Sequence, residues 1–482
     1  MPEDKHKLSV VWFRRDLRLA DNPALQLALS RSDAILPLYI DDKDAAWSDS
    51  AAADAWLHHS LTALNDALIA KGSRLWLRQG AANTDLPKLC HTLKVDAVYW
   101  NRLYEPDSVS QDTALKSTLR EAGVQVQSCQ ANLLFEPWQI ETNTGGPYKV
   151  FTPFWRKAQE LLPPREPLDA PERIQAPSPA PASLSLTDLK LTPALGWDKG
   201  FWPHWQPGEV GAHEQLQRFA NGALVGYKDE RNIPGIEGVS RLSPHLHFGE
   251  LSPHQVWSVI AAKRRELAAD VECYLREIGW REFAHHVLFH FPHTPTQALN
   301  AKYRDFPWSE NYESNLAAWQ RGQTGIPLVD AGMRELWQTG WMHNRIRMIV
   351  ASFLVKNLRI PWLEGARWFY NTLVDADLAN NTLGWQWAAG CGADAAPYFR
   401  VFNPVLQSQK FDPNGAYLRR YLPELKALSD KDIHTPWELE ATTLNAAGIQ
   451  LGKDYPSPIV DLKQSRLDAL AALKSLDPDK TA

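Results

Sequence analysis

The sequence predicts an amino-terminal α/β domain with a doubly wound parallel sheet and an all-helical carboxy-terminal domain, joined by a long Pro-rich linker. Three observations predict it. Up to about residue 130, apolar β-type runs alternate with helical patterns. Between about residues 161 and 195 the composition turns to PPREPLDAPERIQAPSPAPASLSL, and from residue 212 onward the periodicity is almost wholly helical. The expected division is therefore 1–130 for the α/β domain, 131–201 for the linker and 202–482 for the helical domain. A chain of 482 residues exceeds one compact core, and 44% hydrophobic with 22% charged residues fits a globular protein.

SVVWF, AILPLYI, RLWLRQ, AVYW and VQVQSC read as strands, with helices over 23–30, 52–70, 85–93 and 107–122 between them. Strict alternation implies right-handed crossovers and a parallel sheet. No GxGxxG follows the first strand; instead RRDLRLADNPAL crowds Arg14, Arg15 and Arg18 into the turn. Such a cluster holds an anion or makes structural ion pairs, and the structural role has more weight. Proline in the linker removes backbone donors and fixes φ, so that segment is neither core strand nor long helix. Beyond it, helices are expected at 212–220, 253–269, 271–291, 317–321, 329–339, 340–358, 365–371 and 461–475. No repeat of fixed period is present.

The four cysteines, Cys90, Cys129, Cys273 and Cys391, form no CxxC pair, so neither a metal site nor a disulfide framework is expected. The opening MPEDKHKLSV has no apolar core, and the best apolar run, MIVASFLV, is too short to span a bilayer. The expectation is a cytoplasmic protein without a membrane anchor. A net charge of −5 argues against coating nucleic acid with the whole surface, but a local basic groove stays open. The 21 tryptophans suggest an aromatic-lined cavity or an electron-conducting interior, and a Trp-rich core accounts for them equally well.

Four stretches concentrate chemistry. DADLANNTLGWQW (375–387) packs carboxylates, carboxamides and tryptophans together. If it is helical, Asp377 and Asn381 share a face while Trp385 and Trp387 project in roughly opposite directions; a capped core helix is the plainer reading. In ECYLREIGWREF (272–283), helical spacing gathers Tyr274, Glu277, Trp280 and Arg281, a surface for something flat and polar or simply a Glu277–Arg281 ion pair beside buried rings. In GWMHNRIRMIVASFLVKNL (340–358), Trp341, Asn344, Arg345 and Met348 oppose the apolar stripe of Ile346, Ile349, Val350 and Phe353. GVSRLSPHLHFGELSP (238–253) offers hydroxyls around an arginine, as a pyrophosphate needs, although Ser240 and Ser243 are also ordinary caps. His245 and His247 lack metal-ligand company and read as structural.

Taken in order, VVWFRRDLRLADNPAL, YKVFTPFW, SRLSPHLHFGELSP, WREF, GWMHNRIRM, DADLANNTLGWQW and PYFRVFNP resemble the photolyase and cryptochrome flavoprotein family over nearly the whole chain. The resemblance implies an α/β domain linked to a helical domain that binds FAD, reduced to the anionic hydroquinone when active. It implies FAD contacts from Tyr227, Ser240, Arg241, Leu242, Ser243, Trp341, Asn344, Arg347, Asp375, Asp377 and Asn381, with Asn381 at flavin N5 and Arg347 paired with Asp375. Trp385, Trp362 and Trp308 match the family's electron-carrying tryptophan chain.

By the same resemblance, Glu277, Trp280, Arg281, Asn344, Arg345, Met348 and Trp387 match the site for a cyclobutane pyrimidine dimer, with Arg400 and Lys410 as phosphate contacts. Glu277 is the residue expected to stabilise the dimer's radical anion. Family members acting on (6-4) photoproducts carry histidines where this chain has Asn344 and Met348. The implied partner is UV-damaged DNA, bound locally and salt-sensitively by a monomer with no obligate protein partner. A cryptochrome-type blue-light sensor is the alternative. Val239 replaces a usual threonine and Tyr274 a frequent tryptophan, while Asp107 and Ser108 replace the Asn and Glu that support a folate in some relatives. The antenna is therefore left open among methenyltetrahydrofolate, a deazaflavin and none.

Overall fold

A computed structural model describes residues 5–42, 47, 50–398 and 400–476. Five parallel strands, β1 (His6–Phe13), β2 (Ser32–Asp41), β3 (Trp76–Gln79), β4 (Ala97–Asn101) and β5 (Gln125–Cys129), form one sheet in the order β3-β2-β1-β4-β5. Central β1 sets Val11 opposite Pro37 of β2 and Tyr99 of β4. Helices α1 (Pro23–Arg31), α2 (Ala51–Ala70), α3 (Ala82–Leu93) and α4 (Pro106–Glu121) are the crossovers. Strand side chains alternate between faces. Val10, Trp12, Leu36, Leu38, Val98 and Trp100 accordingly form one core with Leu86 and Leu89 of α3 and Leu115 and Leu119 of α4.

The strand order reverses beside β1, and in open sheets of this kind ligands bind at the carboxyl ends at such a point. Here the chain's own polar groups occupy those ends. Arg14 pairs with Asp112 at 2.7 Å, Trp100 Nε1 donates to Asp112 at 2.7 Å, and Asn101 donates to Asp16 and to Asn22. Arg15 pairs with Glu105, and fully buried Arg18 spends its guanidinium on the carbonyls of Asp21, Ala131 and Gly249. The arginine cluster is structural.

The chain divides into two compact units, the first made of residues 1–225, 240–292 and 374–377, the second of 226–239, 293–373 and 378–482. Between the turn Gln159–Leu161 and the turn Leu186–Leu189 of the first unit there is no helix or strand. Backbone bonds from Asp21 to Leu168, Ile35 to Gln175, Ile174 to Lys71 and Leu184 to Leu77 nevertheless tie this proline-rich stretch down. The first unit also contains the long helix Ala268–His290, against which the segment Phe151–Ala158 packs. Phe151 stacks on Trp280 at 3.8 Å, and Trp155 lies so close to Gly279 that a Cβ there would meet the ring at 2.5 Å.

Helices build the second unit: Glu313–Gln320, Pro327–Thr339, Asn344–Ser352, Trp362–Thr372, Leu378–Ala389, Pro404–Phe411, Ala416–Tyr421 and Leu462–Ser475, with shorter turns between them. Three expectations change. The helix expected over 340–358 starts only at Asn344: Gly340 caps the preceding helix at φ 67°, and His343 caps the new one through a bond from the Arg345 N–H. Past Ser352 it widens into a π-helical turn, Phe353–Asn357. The helix expected over 253–269 stops at Ala261, and residues 375–377 precede the helix Leu378–Ala389 instead of belonging to it. Among the described residues no helix is long and apolar enough to cross a membrane, and no cluster of His, Cys, Asp or Glu could hold a metal ion.

Candidate functional site

Each unit brings a set of the expected residues together. In the first, residues 239–242 are an irregular run before the short helix Ser243–His247. Ser240 accepts at its carbonyl from Gln215 at 2.8 Å and meets Tyr274 through its side chain. Arg241 sits in the left-handed region at φ 54°, unfavourable for a residue with a Cβ. Its guanidinium lies 4.3 Å from the centre of the Trp205 ring, and Leu242 is buried beside it in sequence. A strained arginine held on an aromatic between two serines is a donor-rich run suited to phosphate oxygens.

Asp375 and Asp377 are buried, and Asp377 is the more informative. Oδ2 of Asp377 is 3.4 Å from His285 Nε2 and 4.0 Å from His247 Nδ1. The other nitrogen of His285 faces the Arg281 carbonyl at 3.0 Å. A carbonyl only accepts, so Nδ1 carries a proton, and with Nε2 turned to a carboxylate the ring has the surroundings of an imidazolium. Burial alone would push His285 down and Asp377 up, but their attraction reverses both: His285 is raised and Asp377 lies well below the carboxylate range. Asp377 is thus a buried, charge-compensated acceptor, the kind a sugar or ribityl hydroxyl requires. His247 was expected to be structural like His245; His245 does bond Glu250 at 2.5 Å, whereas His247 faces Asp377.

Along the helix Ala268–His290, Glu277 and Trp280 are half-buried. One face of Trp280 is covered by Phe151. Arg281 forms no pair with Glu277; it donates to the Asn132 carbonyl at 2.7 Å and lies 3.5 Å from Glu282, and so ties this helix to the segment after β5. Glu282 accepts from the backbone of Leu134 and Phe135, and burial raises its pKa to about 7.

In the second unit Tyr227 is buried, with Arg231 over its ring. Trp341 is buried too, but it precedes the helix that begins at Asn344 and so does not share a helical arc with Asn344, Arg345 and Met348. Its loop is fixed by Glu335, which accepts from the His343 N–H at 3.2 Å and from the Tyr417 hydroxyl at 2.7 Å. On the helix, Asn344 is exposed, Arg345, Arg347 and Met348 are half-buried, and Ile346, Ile349 and Val350 are buried, as the periodicity predicted. Arg347 Nε donates to the Met342 carbonyl at 2.7 Å, and its guanidinium lies 5.8 Å from the centre of the Trp341 ring.

Asn381 Nδ2 donates to the Ala366 carbonyl at 2.9 Å. Only the nitrogen can face a carbonyl, so Oδ1 is presented as an acceptor. Trp385 is buried edge-on against Phe369 at 4.9 Å and Trp319 at 6.1 Å, whereas half-buried Trp387 neighbours Phe402. The two rings leave their helix toward different partners, as a spacing of two requires. Trp362 is buried, and Trp308, half-buried, contacts Phe306 at 4.5 Å. Arg400 and Lys410 are exposed, and Phe399 of the YFRVFNP motif lies outside the described residues.

Sequence reasoning missed His285, His247 as a partner of Asp377, and Asn232, which accepts from Arg345 at 2.6 Å. One signal was available for His285: two adjacent histidines in an otherwise apolar helical run need buried partners.

Within the first unit, a hydroxyl and arginine run suits a pyrophosphate and a compensated carboxylate suits hydroxyls; within the second, the Asn381 amide oxygen suits a ring N–H; each matches a group that a flavin dinucleotide carries. Comparison with known proteins agrees. The family model described as the FAD binding domain of DNA photolyase matches residues 274–475, and the one described as DNA photolyase matches residues 9–175. A deoxyribodipyrimidine photo-lyase of Agrobacterium fabrum is 48% identical over 96% of this chain and 97% of its own. Cryptochrome-1 of Arabidopsis thaliana is 36% identical over 97% of this chain and 70% of its own. The crystal structure of a bacterial class III photolyase from Agrobacterium tumefaciens superposes with a TM-score of 0.95 at 47% identity, covering 98% of both chains. Sequence motifs, site chemistry and backbone thus lead to one assignment: the chain belongs to the photolyase and cryptochrome family and carries the FAD-binding domain of a DNA photolyase.

Proposed function

We propose that the chain is a light-driven lyase that splits cyclobutane pyrimidine dimers in DNA, breaking the two C–C bonds that join the bases and so restoring the two pyrimidines. FAD, bound and reduced, would lend one electron on excitation and take it back once the two bonds are broken, so that splitting is redox-neutral overall. The residues of the chain do the rest: Asn381 accepts at flavin N5, Trp280 and Trp387 give apolar walls to a flipped dimer, and Glu277 and Asn344 read its polar edges. Base flipping by photolyases is a general example of this strategy. Trp385, Trp362 and Trp308 carry electrons inward when the flavin is oxidised.

The observation that carries the reading is exposure. Glu277, Trp280, Arg345, Met348 and Trp387 are half-buried and Asn344 is exposed, whereas Tyr274, Ile278, Ile346, Ile349, Val350, Trp385 and Ala388 of the same helices are buried. Half-buried rings beside polar side chains suit a surface on which bases stack. Support comes also from the relatives named as photo-lyases, at 48% and 38% identity.

Purified protein with reduced FAD, given a dimer-containing oligonucleotide under blue light, restores the pyrimidine bases. No light-dependent repair with FAD bound and reduced sinks the proposal and favours the sensor reading, for which the cryptochrome relatives speak. Trp387→Ala lowers the preference for damaged over undamaged DNA by about 1–3 kcal/mol, the worth of one base–aromatic stack. Equilibrium binding to both DNAs in the dark measures it.

A further inference from the structure

The Arg345 guanidinium is held in an unusual way. Its Nε and Nη2 both donate to Asn232 Oδ1, at 3.2 and 2.6 Å, and its Cζ lies over the Phe411 ring, 4.6 Å from the centre. Lys410 Nζ lies 5.1 Å from the same ring. Two arginines of the same unit are instead fixed by carboxylates: Arg334 by Glu424 at 2.7 Å and Arg419 by Asp430 at 2.9 Å. Among the described residues neither Arg345 nor Lys410 has a carboxylate partner.

A carboxylate would fix a guanidinium and cancel its charge. A carboxamide oxygen fixes it and leaves the charge intact. Asn232 occupies the Nε–Nη2 edge and Phe411 one face, so the Nη1 side stays available with its orientation set beforehand. The charge is also placed where its helix and a neighbouring cation disfavour it. Arg345 is in the first turn of a helix that has no acidic residue there, against the helix dipole, and Arg231 repels it. An anion arriving at this turn relieves both.

The geometry points to Asn232 and Phe411 as positioning residues that present Arg345, with Lys410 on the same ring, to backbone phosphates of the DNA strand. The inference rests on the DNA-repair reading and adds to it the two side chains that preset the phosphate contacts. Neither Asn232 nor Phe411 is required to touch DNA.

The test uses full-length protein with FAD bound, in the dark, and a dimer-containing duplex titrated over a range of NaCl concentrations. Arg345→Ala is expected to weaken binding and to reduce the slope of log K against log salt by about 0.9, one phosphate contact. Asn232→Ala and Phe411→Leu should each weaken binding about 3- to 10-fold, the cost of ordering one side chain at the moment of binding. In the Arg345→Ala background Asn232→Ala should have no further effect, and Phe411→Tyr should restore wild-type affinity. Equal losses from Asn232→Ala in both backgrounds, or no loss in either, overturn the positioning role. A wild-type protein that binds no dimer DNA overturns the functional reading itself, so the two failures are distinct. FAD absorbance and thermal unfolding of each variant establish that the fold is retained, and Phe411→Leu decides the matter if Asn232→Ala does not fold.

Discussion

Asn381 shows how one hydrogen bond decides what a side chain can do. Because Nδ2 is spent on the Ala366 carbonyl, only Oδ1 is presented, and an amide oxygen beside a reduced flavin accepts a proton-bearing nitrogen without adding charge. Asn381→Asp replaces that donor with an acceptor against the carbonyl and adds a negative charge. It is expected to lower the FAD reduction potential on the order of 50 mV, the two-electron equivalent of about 2 kcal/mol. Spectroelectrochemical titration reads the change, and an unchanged or higher potential removes Asn381 from N5. At this scale the sequence shows the residues whose types are conspicuous, such as Asn381, Trp385 and Trp387. It does not show their partners. Asp377 is compensated by His285 and Arg345 is held by Asn232, each across a long sequence separation that no periodicity records.

Elements were legible wherever burial follows a period. All five strands and the four crossover helices lie within a few residues of their expected positions, since alternation and 3.6-residue spacing each leave a mark on the sequence. Helix ends were less legible, because Gly340, His343 and the turn before Leu378 act through dihedral angles and caps rather than hydrophobicity. Close approach between helices was not legible at all. A Cβ on Gly365 of Trp362–Thr372 would meet the Trp385 ring at 2.1 Å and Leu354 at 2.7 Å. Both neighbours are packed, so neither yields cheaply. Gly365→Ala should cost about 1–3 kcal/mol of stability by overpacking. It should also displace Trp385 and slow light-driven reduction of oxidised FAD if Trp385 begins the electron path. Thermal unfolding and flavin photoreduction measure the two effects; normal stability contradicts the packing argument, and normal photoreduction with reduced stability contradicts the electron-path role.

For the whole molecule, acid stability sums groups that titrate in opposite senses. His286 accepts from the Tyr148 N–H through Nε2 at 3.0 Å and donates through Nδ1 to the Pro137 carbonyl at 3.2 Å, a bridge that only the neutral ring can make. Burial pushes its pKa down to about 3, and burial likewise takes His254 to about 4 and His343 to about 3. Below an unfolded pKa near 6.5 the unfolded chain binds protons that these rings refuse, so their contribution to stability falls as pH drops toward the folded values. Glu282, raised to about 7, and Asp330, raised to about 6, have the opposite sign: the folded state binds the extra proton, and stability rises as pH falls from those values toward the unfolded carboxylate range. Two carboxylates offset part of three histidines, so the summed contribution of these five groups falls on acidification between about pH 6 and pH 4.5. His286→Gln keeps both halves of the bridge, an amide oxygen for Tyr148 and an amide nitrogen for Pro137, without a titrating group. Relative to the wild type, stability of this variant should fall less steeply over that window, by about 1.4 kcal/mol per pH unit. Denaturant unfolding between pH 7 and pH 4.5 gives both slopes; parallel curves mean that the His286 bridge does not contribute to acid sensitivity.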